Sequence, residues 1–116
     1  MIKVKGLKPN QKVVNTLLRF AKYNKEYNFF ESYNLYRTKK TNYKGPVLIF
    51  DKNGNCVVLV KLVKCTKLLF KNKYSWCFQN ISEINFNFKI EKKTNGLLFD
   101  VCVIEKKSDD DMLNDL

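Results

Sequence analysis

The sequence predicts an α+β fold: a small, mostly antiparallel β-barrel with one N-terminal helix. Three observations lead there. One stretch near the N-terminus places Val13, Val14, Leu17, Leu18 and Ala21 at helical spacing. After residue 28 the apolar residues fall instead into short β-branched or aromatic runs, several alternating with period two. Turn signals separate these runs, among them Asn53-Gly54 and Asn95-Gly96. One early helix followed by hairpin-joined strands is an α+β pattern, and closing the sheet into a barrel would remove its free edges.

Taken in order, Ile2 to Lys5 alternates apolar and basic residues and reads as a first strand. Pro9 suits the first turn of a helix from about Pro9 to Tyr23. Asn24 to Asn28 shows no clear pattern. Phe29 to Arg37, rich in Phe and Tyr, holds a second strand. TKKTNYKG is a basic polar loop closed by Gly45-Pro46, and Val47 to Phe50 is a short apolar strand. Asp51 to Asn55 is a turn, and the β-branched run Cys56 to Cys65 is expected at the centre of the sheet. A basic connection, Lys67 to Lys73, leads to two alternating strands, Tyr74 to Gln79 and Asn85 to Glu91. Lys92 to Gly96 is a second turn, and Leu97 to Glu105 the last strand. The chain divides into one domain, residues 1–107, and an acidic tail, residues 108–116, expected to be mobile.

The aromatic alternation from Tyr74 onward admits two readings, a stacking surface for bases or the inside of the sheet. Phe86, Phe88 and Ile90 share one face, against Asn85, Asn87, Lys89 and Glu91 on the other. Tyr74, Trp76 and Phe78 oppose Ser75, Cys77 and Gln79 in the same way. A wet and a dry face favour the core reading, because an exposed stripe of five aromatics invites aggregation. Trp76 stands apart: its N–H needs a partner, which places it at a pocket rim.

Composition narrows the function classes. The 116 residues include no histidine, which removes Ser-His-Asp, Cys-His and histidine-based metal chemistry together. The four cysteines, at 56, 65, 77 and 102, lack C-x-x-C spacing. They read as buried free thiols in a reducing cytoplasm, with neither metal nor cofactor expected. No run of 18 apolar residues occurs and no signal peptide is recognisable, so neither membrane nor export is expected. The formal charge is +11, and four of the eleven acids lie in residues 109–116. The first 108 residues therefore carry 22 basic and 7 acidic side chains. An excess of that size points to nucleic acid. Part of it is discounted: all the cations but Arg19 and Arg37 are Lys, in a chain rich in Asn, Ile, Phe and Tyr, as an AT-rich gene would encode.

Three stretches resemble the ASCH domains of the PUA-like superfamily. YRTKKTNYKGPVLIF (Tyr36 to Phe50) is similar to the family's Arg-containing segment and the strand after it. CVVLVKLVKC is similar to the next strand, and YSWCFQNISEI to the family's Trp-bearing strand, with GLLFDVCVI closing. The likeness spans roughly Leu7 to Ile104 and implies a PUA-like barrel. Of the family signature G-x-K-x-x-E-x-R only the final Arg is matched, by Arg37; Phe30, Ser32 and Leu35 occupy the Gly, Lys and Glu places. The amidohydrolase chemistry of some members is therefore not implied, whereas the RNA association of others is.

The leading expectation is a nucleic-acid-binding module, RNA ahead of DNA, using Tyr36, Arg37, Lys39, Lys40, Tyr43, Lys44 and Trp76 beside a cleft. Arg37 either holds a phosphate or base, or pairs with Glu31 or Glu83 to pin the loop. The alternative is a protein-binding inhibitor or adaptor of a mobile element, phage or virus, in which DDDMLNDL docks on a basic partner or folds back on the domain. A third reading, a nucleoside or RNA hydrolase, would draw on Thr38, Lys39, Glu31 and Glu83, and each group would need a pKa shift of several units. No catalytic residue is assigned from sequence.

Overall fold

A computed structural model describes residues 2–28, 31–69, 71–84 and 98–103. The chain is α+β, with one helix and a six-stranded mixed sheet among these residues. The elements are β1 (Ile2–Leu7), α1 (Gln11–Tyr27), β2 (Tyr33–Arg37), β3 (Gly45–Phe50), β4 (Cys56–Lys67), β5 (Tyr74–Glu83) and β6 (Phe99–Val103). Sheet order is β2-β5-β4-β3-β1-β6. Every neighbouring pair is antiparallel except β1–β3. Among the described residues β2 and β6 do not pair, so the sheet is open and the expected closure into a barrel is not seen. The expected strand at Asn85 to Glu91 with Phe86 and Phe88, the turn at 92–96 and the tail 108–116 lie outside the described residues.

The helix begins two residues later than Pro9 suggests. Asn10 is the N-cap: its side-chain oxygen accepts from the Lys12 N–H at 2.8 Å, and Pro9 precedes it. The helix also runs four residues past Tyr23, because Asn24 occupies the inward stripe after Val14, Leu17 and Ala21. Asn24 is 3% exposed; its amide donates to the Ile81 carbonyl at 3.2 Å and its oxygen accepts from the Glu31 N–H at 3.3 Å. A polar side chain at a core position erases the apolar period there, while its two hydrogen bonds make the burial tolerable. Asn28 ends the helix in the left-handed region at φ 50°.

β3 is buried on both faces. Val47 and Ile49 meet the cluster under α1, which includes Leu17, Val58, Val60, Leu62, Trp76, Phe78 and Ile81. Leu48 and Phe50 meet a second cluster with Cys56, Phe99 and Val101. The ring of Phe99 lies where a Cβ at Gly6 would stand, 2.5 Å away, so this position of β1 requires glycine. The Asn53-Gly54 turn forms as expected, with Gly54 at φ 85° and the Asp51 carboxylate accepting from the Asn53 and Asn55 N–H groups, each at 2.9 Å.

β4 and β5 keep their apolar faces inward by changing register. Leu59 pairs with Ser82 and Lys61 with Gln79, which leaves one extra residue in β5; Asn80 takes φ 53° there. Inward positions shift from Trp76 and Phe78 to Ile81. In β4, Leu62 pairs with Phe78 and Lys64 with Cys77, so Val63 is the extra residue. Inward positions shift from Val58, Val60 and Leu62 to Cys65. The core reading of Trp76 and Phe78 holds, with Tyr74 partly buried beside them, but Cys77 on the opposite side is buried too.

Two expectations follow from this packing. Phe78→Ala should destabilise the domain by about 3–5 kcal/mol in denaturant unfolding, as for a large core side chain; a loss below about 1 kcal/mol would place Phe78 on the surface. Burial also pushes the Cys56 thiol up to about 12. Of the three described thiols, a reagent at mildly alkaline pH should therefore label half-buried Cys65 first, and Cys56 and Cys77 only on unfolding.

Candidate nucleic-acid interface

The end of β2 sorts three neighbouring residues onto two faces. Leu35 pairs with Trp76 and Arg37 with Tyr74, so both lie on the side of α1; Tyr36, opposite Ser75, lies on the other side and is 57% exposed. The Arg37 guanidinium carbon stands 5.4 Å from the Trp76 ring centroid. Burial lowers the Arg37 pKa from its ordinary value, yet a guanidinium remains charged at neutral pH. Cation–π attraction of about 0.5–2 kcal/mol offsets part of that desolvation. The expected alternative, an ion pair with Glu31 or Glu83, is not what the structure forms. Glu83 sits at the far end of β5, nine residues from Tyr74, or roughly 30 Å of strand.

Trp76 is corrected from rim to anchor. It is 1% exposed, and its indole N–H donates to the Lys39 carbonyl at 3.0 Å. Its ring is covered by the core and by Arg37, so it offers no free face to a base. It touches a hollow of about 190 Å³ shared with Lys39, Lys40, Thr41 and Leu98. Tyr43 is likewise an anchor: its hydroxyl donates to the Pro46 carbonyl at 2.7 Å and its N–H to the Thr41 hydroxyl at 3.1 Å. Partial burial raises the pKa of the Tyr43 hydroxyl. Gly45, at φ 136°, lets the chain turn beneath that hydroxyl. With its backbone held at Lys39 and Tyr43, the loop presents Lys39, Lys40 and Lys44 exposed.

A second basic loop was not read as part of the site. Arg37, Tyr74 and Lys67 lie side by side in register, so residues 68–73 leave the sheet beside the end of β2. Tyr36, Leu68, Leu69, Lys67, Lys71 and Lys73, with Thr66, line a cleft of about 740 Å³. Leu69 is 92% exposed. The signal lay in Leu68-Leu69-Phe70 between Lys67 and Lys71: an apolar triplet is unusual in a basic connection between strands.

The described acids are elsewhere. Glu26 and Glu31 flank the end of α1, which is tied to Ile81; Asp51 is in the β3–β4 turn and Glu83 ends β5. Asp100 pairs with Lys5 on the β1–β6 edge. None of them lines the clefts beside Tyr36, Arg37 or Lys39. Thr38 and Lys39 are thus not brought together with Glu83, and the catalytic cluster considered from sequence is not assembled. Among the described residues no three His, Cys, Asp or Glu side chains group as metal ligands. No described helix is long and apolar enough to cross a membrane. Comparison of the chain with protein-family models, curated proteins and solved structures gives no match.

The Trp76–Lys39 bond can be tested directly. Trp76→Phe keeps an aromatic core but leaves the Lys39 carbonyl unpaired. Trypsin cleavage after Lys39 or Lys40 should quicken roughly fivefold, as the loss of about 1 kcal/mol predicts. An unchanged cleavage rate would show that other contacts hold the loop.

Proposed function

We propose that the protein is a nucleic-acid-binding module that takes single-stranded RNA on the basic end of its sheet. The observation behind this is the placement of charge. Two loops leave the same end, one with Lys39, Lys40 and Lys44 and one with Lys71 and Lys73, and no described acid lines the clefts between and beside them. A field of one sign over a concave surface concentrates polyanions. Codon bias raises the number of lysines across a whole chain; it does not keep every described acid out of the clefts at one end of the sheet.

The resemblance of roughly Leu7 to Ile104 to the ASCH domains supports the same reading, and with it a PUA-like architecture. The observed opening of strand, helix and strand, then a hairpin, agrees with that architecture. In this reading Lys39, Lys40 and Lys44 contact phosphates as mobile point charges. Arg37, held over Trp76, adds a fixed cation beneath them. RNA is favoured over duplex DNA because the described interface is a set of loops around clefts, with no helix or ribbon shaped to enter a major groove.

Phosphate contacts by Arg37, Lys39, Lys40 and Lys44 alone imply that log affinity for a single strand falls against log salt with a slope of about −3, and contacts by the lysines of the second loop steepen it. Lys39→Ala with Lys40→Ala should flatten that slope by roughly 1 to 1.5 and weaken all sequences alike. Fluorescence anisotropy with short RNA and DNA strands reads both quantities. Absence of binding to either at about 50 mM salt would sink the proposal and favour a protein partner.

A further inference from the structure

The cleft between Tyr36 and the β4–β5 loop lies on the face of β2 and β5 away from Trp76, and Lys39, Lys40 and Lys44 do not line it. We propose that this cleft is a nucleotide subsite: an unpaired base stacks on the Tyr36 ring beside Leu69, and its flanking phosphates meet Lys67, Lys71 and Lys73. The inference rests on the RNA-binding reading and adds to it the place where a base is held.

The register explains why this spot suits a planar group. Tyr36, Ser75 and Thr66 stand in one row across β2, β5 and β4. Two small hydroxyl residues beside Tyr36 leave the ring with an open neighbouring surface instead of a packed one. The row ends against Leu68 and Leu69, which form an apolar wall. A flat aromatic platform with an apolar wall fits the π-face of a base, and the lysines around it fit the charge that a base carries on either side. The volume, about 740 Å³, lies in the range of roughly 300–1,000 Å³ typical of small-molecule sites. One row along, exposed Lys64 lies on the same face as Tyr36, level with Cys77 and Asn34, and continues the positive track down β4. A peptide of acidic residues shares the charge requirement but gains nothing from a flat aromatic ring.

The test compares variants on the full chain with a labelled oligouridine of about ten nucleotides, a length that spans an ordinary single-strand site. Tyr36→Ala should weaken binding about tenfold while leaving the salt slope unchanged, because stacking releases no counterions. Tyr36→Phe keeps the ring and should bind within about twofold of the parent. Lys71→Ala with Lys73→Ala should flatten the slope by about 1.4. Ultraviolet crosslinking followed by peptide mapping should place a uridine on Tyr36. If the parent binds and Lys39→Ala with Lys40→Ala weakens it, but Tyr36→Ala and the Lys71, Lys73 pair bind as the parent does, this subsite is wrong and the wider reading stands. If no strand binds the parent, both fail. An oligo-aspartate peptide that occupies the cleft and is not displaced by oligouridine would also overturn the subsite. Should Tyr36→Ala not fold, the Lys71, Lys73 pair and the crosslink decide alone.

Discussion

A buried indole must find an acceptor for its N–H, and in this protein the acceptor is the carbonyl of a basic loop. Trp76 is the largest fully buried side chain, packed among Leu35, Phe78 and the residues under α1. Its ring cannot leave the core without losing much of the area that stabilises the sheet. Its N–H therefore fixes where Lys39 runs. The same ring supports Arg37 from below. Core packing and surface charge thus depend on one side chain. Together with the Tyr43 anchor, the Trp76–Lys39 bond holds a basic loop whose lysines repel one another.

The second determinant is the length of β4. Twelve residues exceed the usual span of a strand, and a strand that long twists away from a flat partner. The extra residues at Val63 in β4 and near Asn80 in β5 absorb the twist and reset the inward face. β4 pairs with β3 over Cys56 to Leu62 and with β5 over Val58 to Lys67, so its second half runs on past the start of β3. That extension is what carries residues 68–73 out to the end of β2. Without it, the two basic loops would leave the sheet at different levels and Tyr36 would face solvent alone.

Much of this was legible because it follows from local rules. One helical stripe, the Asn53-Gly54 turn, the apolar run of β4 and the inward Trp76 and Phe78 each show in a window of a few residues. What was hidden depends on partners distant in sequence. Asn24 reads as the end of a helix until Ile81, 57 residues away, is seen to accept its amide. The parallel pairing of β1 with β3 leaves no mark in either strand. Trp76 was assigned to a rim on the sound premise that its N–H needs a partner; the partner proved to be a backbone carbonyl inside the fold. Lys67 to Lys73 was read only as a connection, because its proximity to Tyr36 comes from strand order and not from any motif.

The choice of arginine at position 37 fits this arrangement better than it fits codon usage. In a chain that writes nearly all its cations as Lys, a half-buried position over an indole ring is where lysine serves worst. An ammonium is a compact, strongly hydrated charge, and burying it lowers its pKa toward neutrality. A guanidinium is planar, less strongly hydrated and keeps its proton, so it lies over Trp76 and remains cationic with no described carboxylate paired to it. The lysines of the adjoining loop, exposed and free to extend, meet no such demand. Position 37 thus separates two kinds of positive charge on one surface: a fixed one set by the core, and a flexible ring of lysines that solvent and salt can screen.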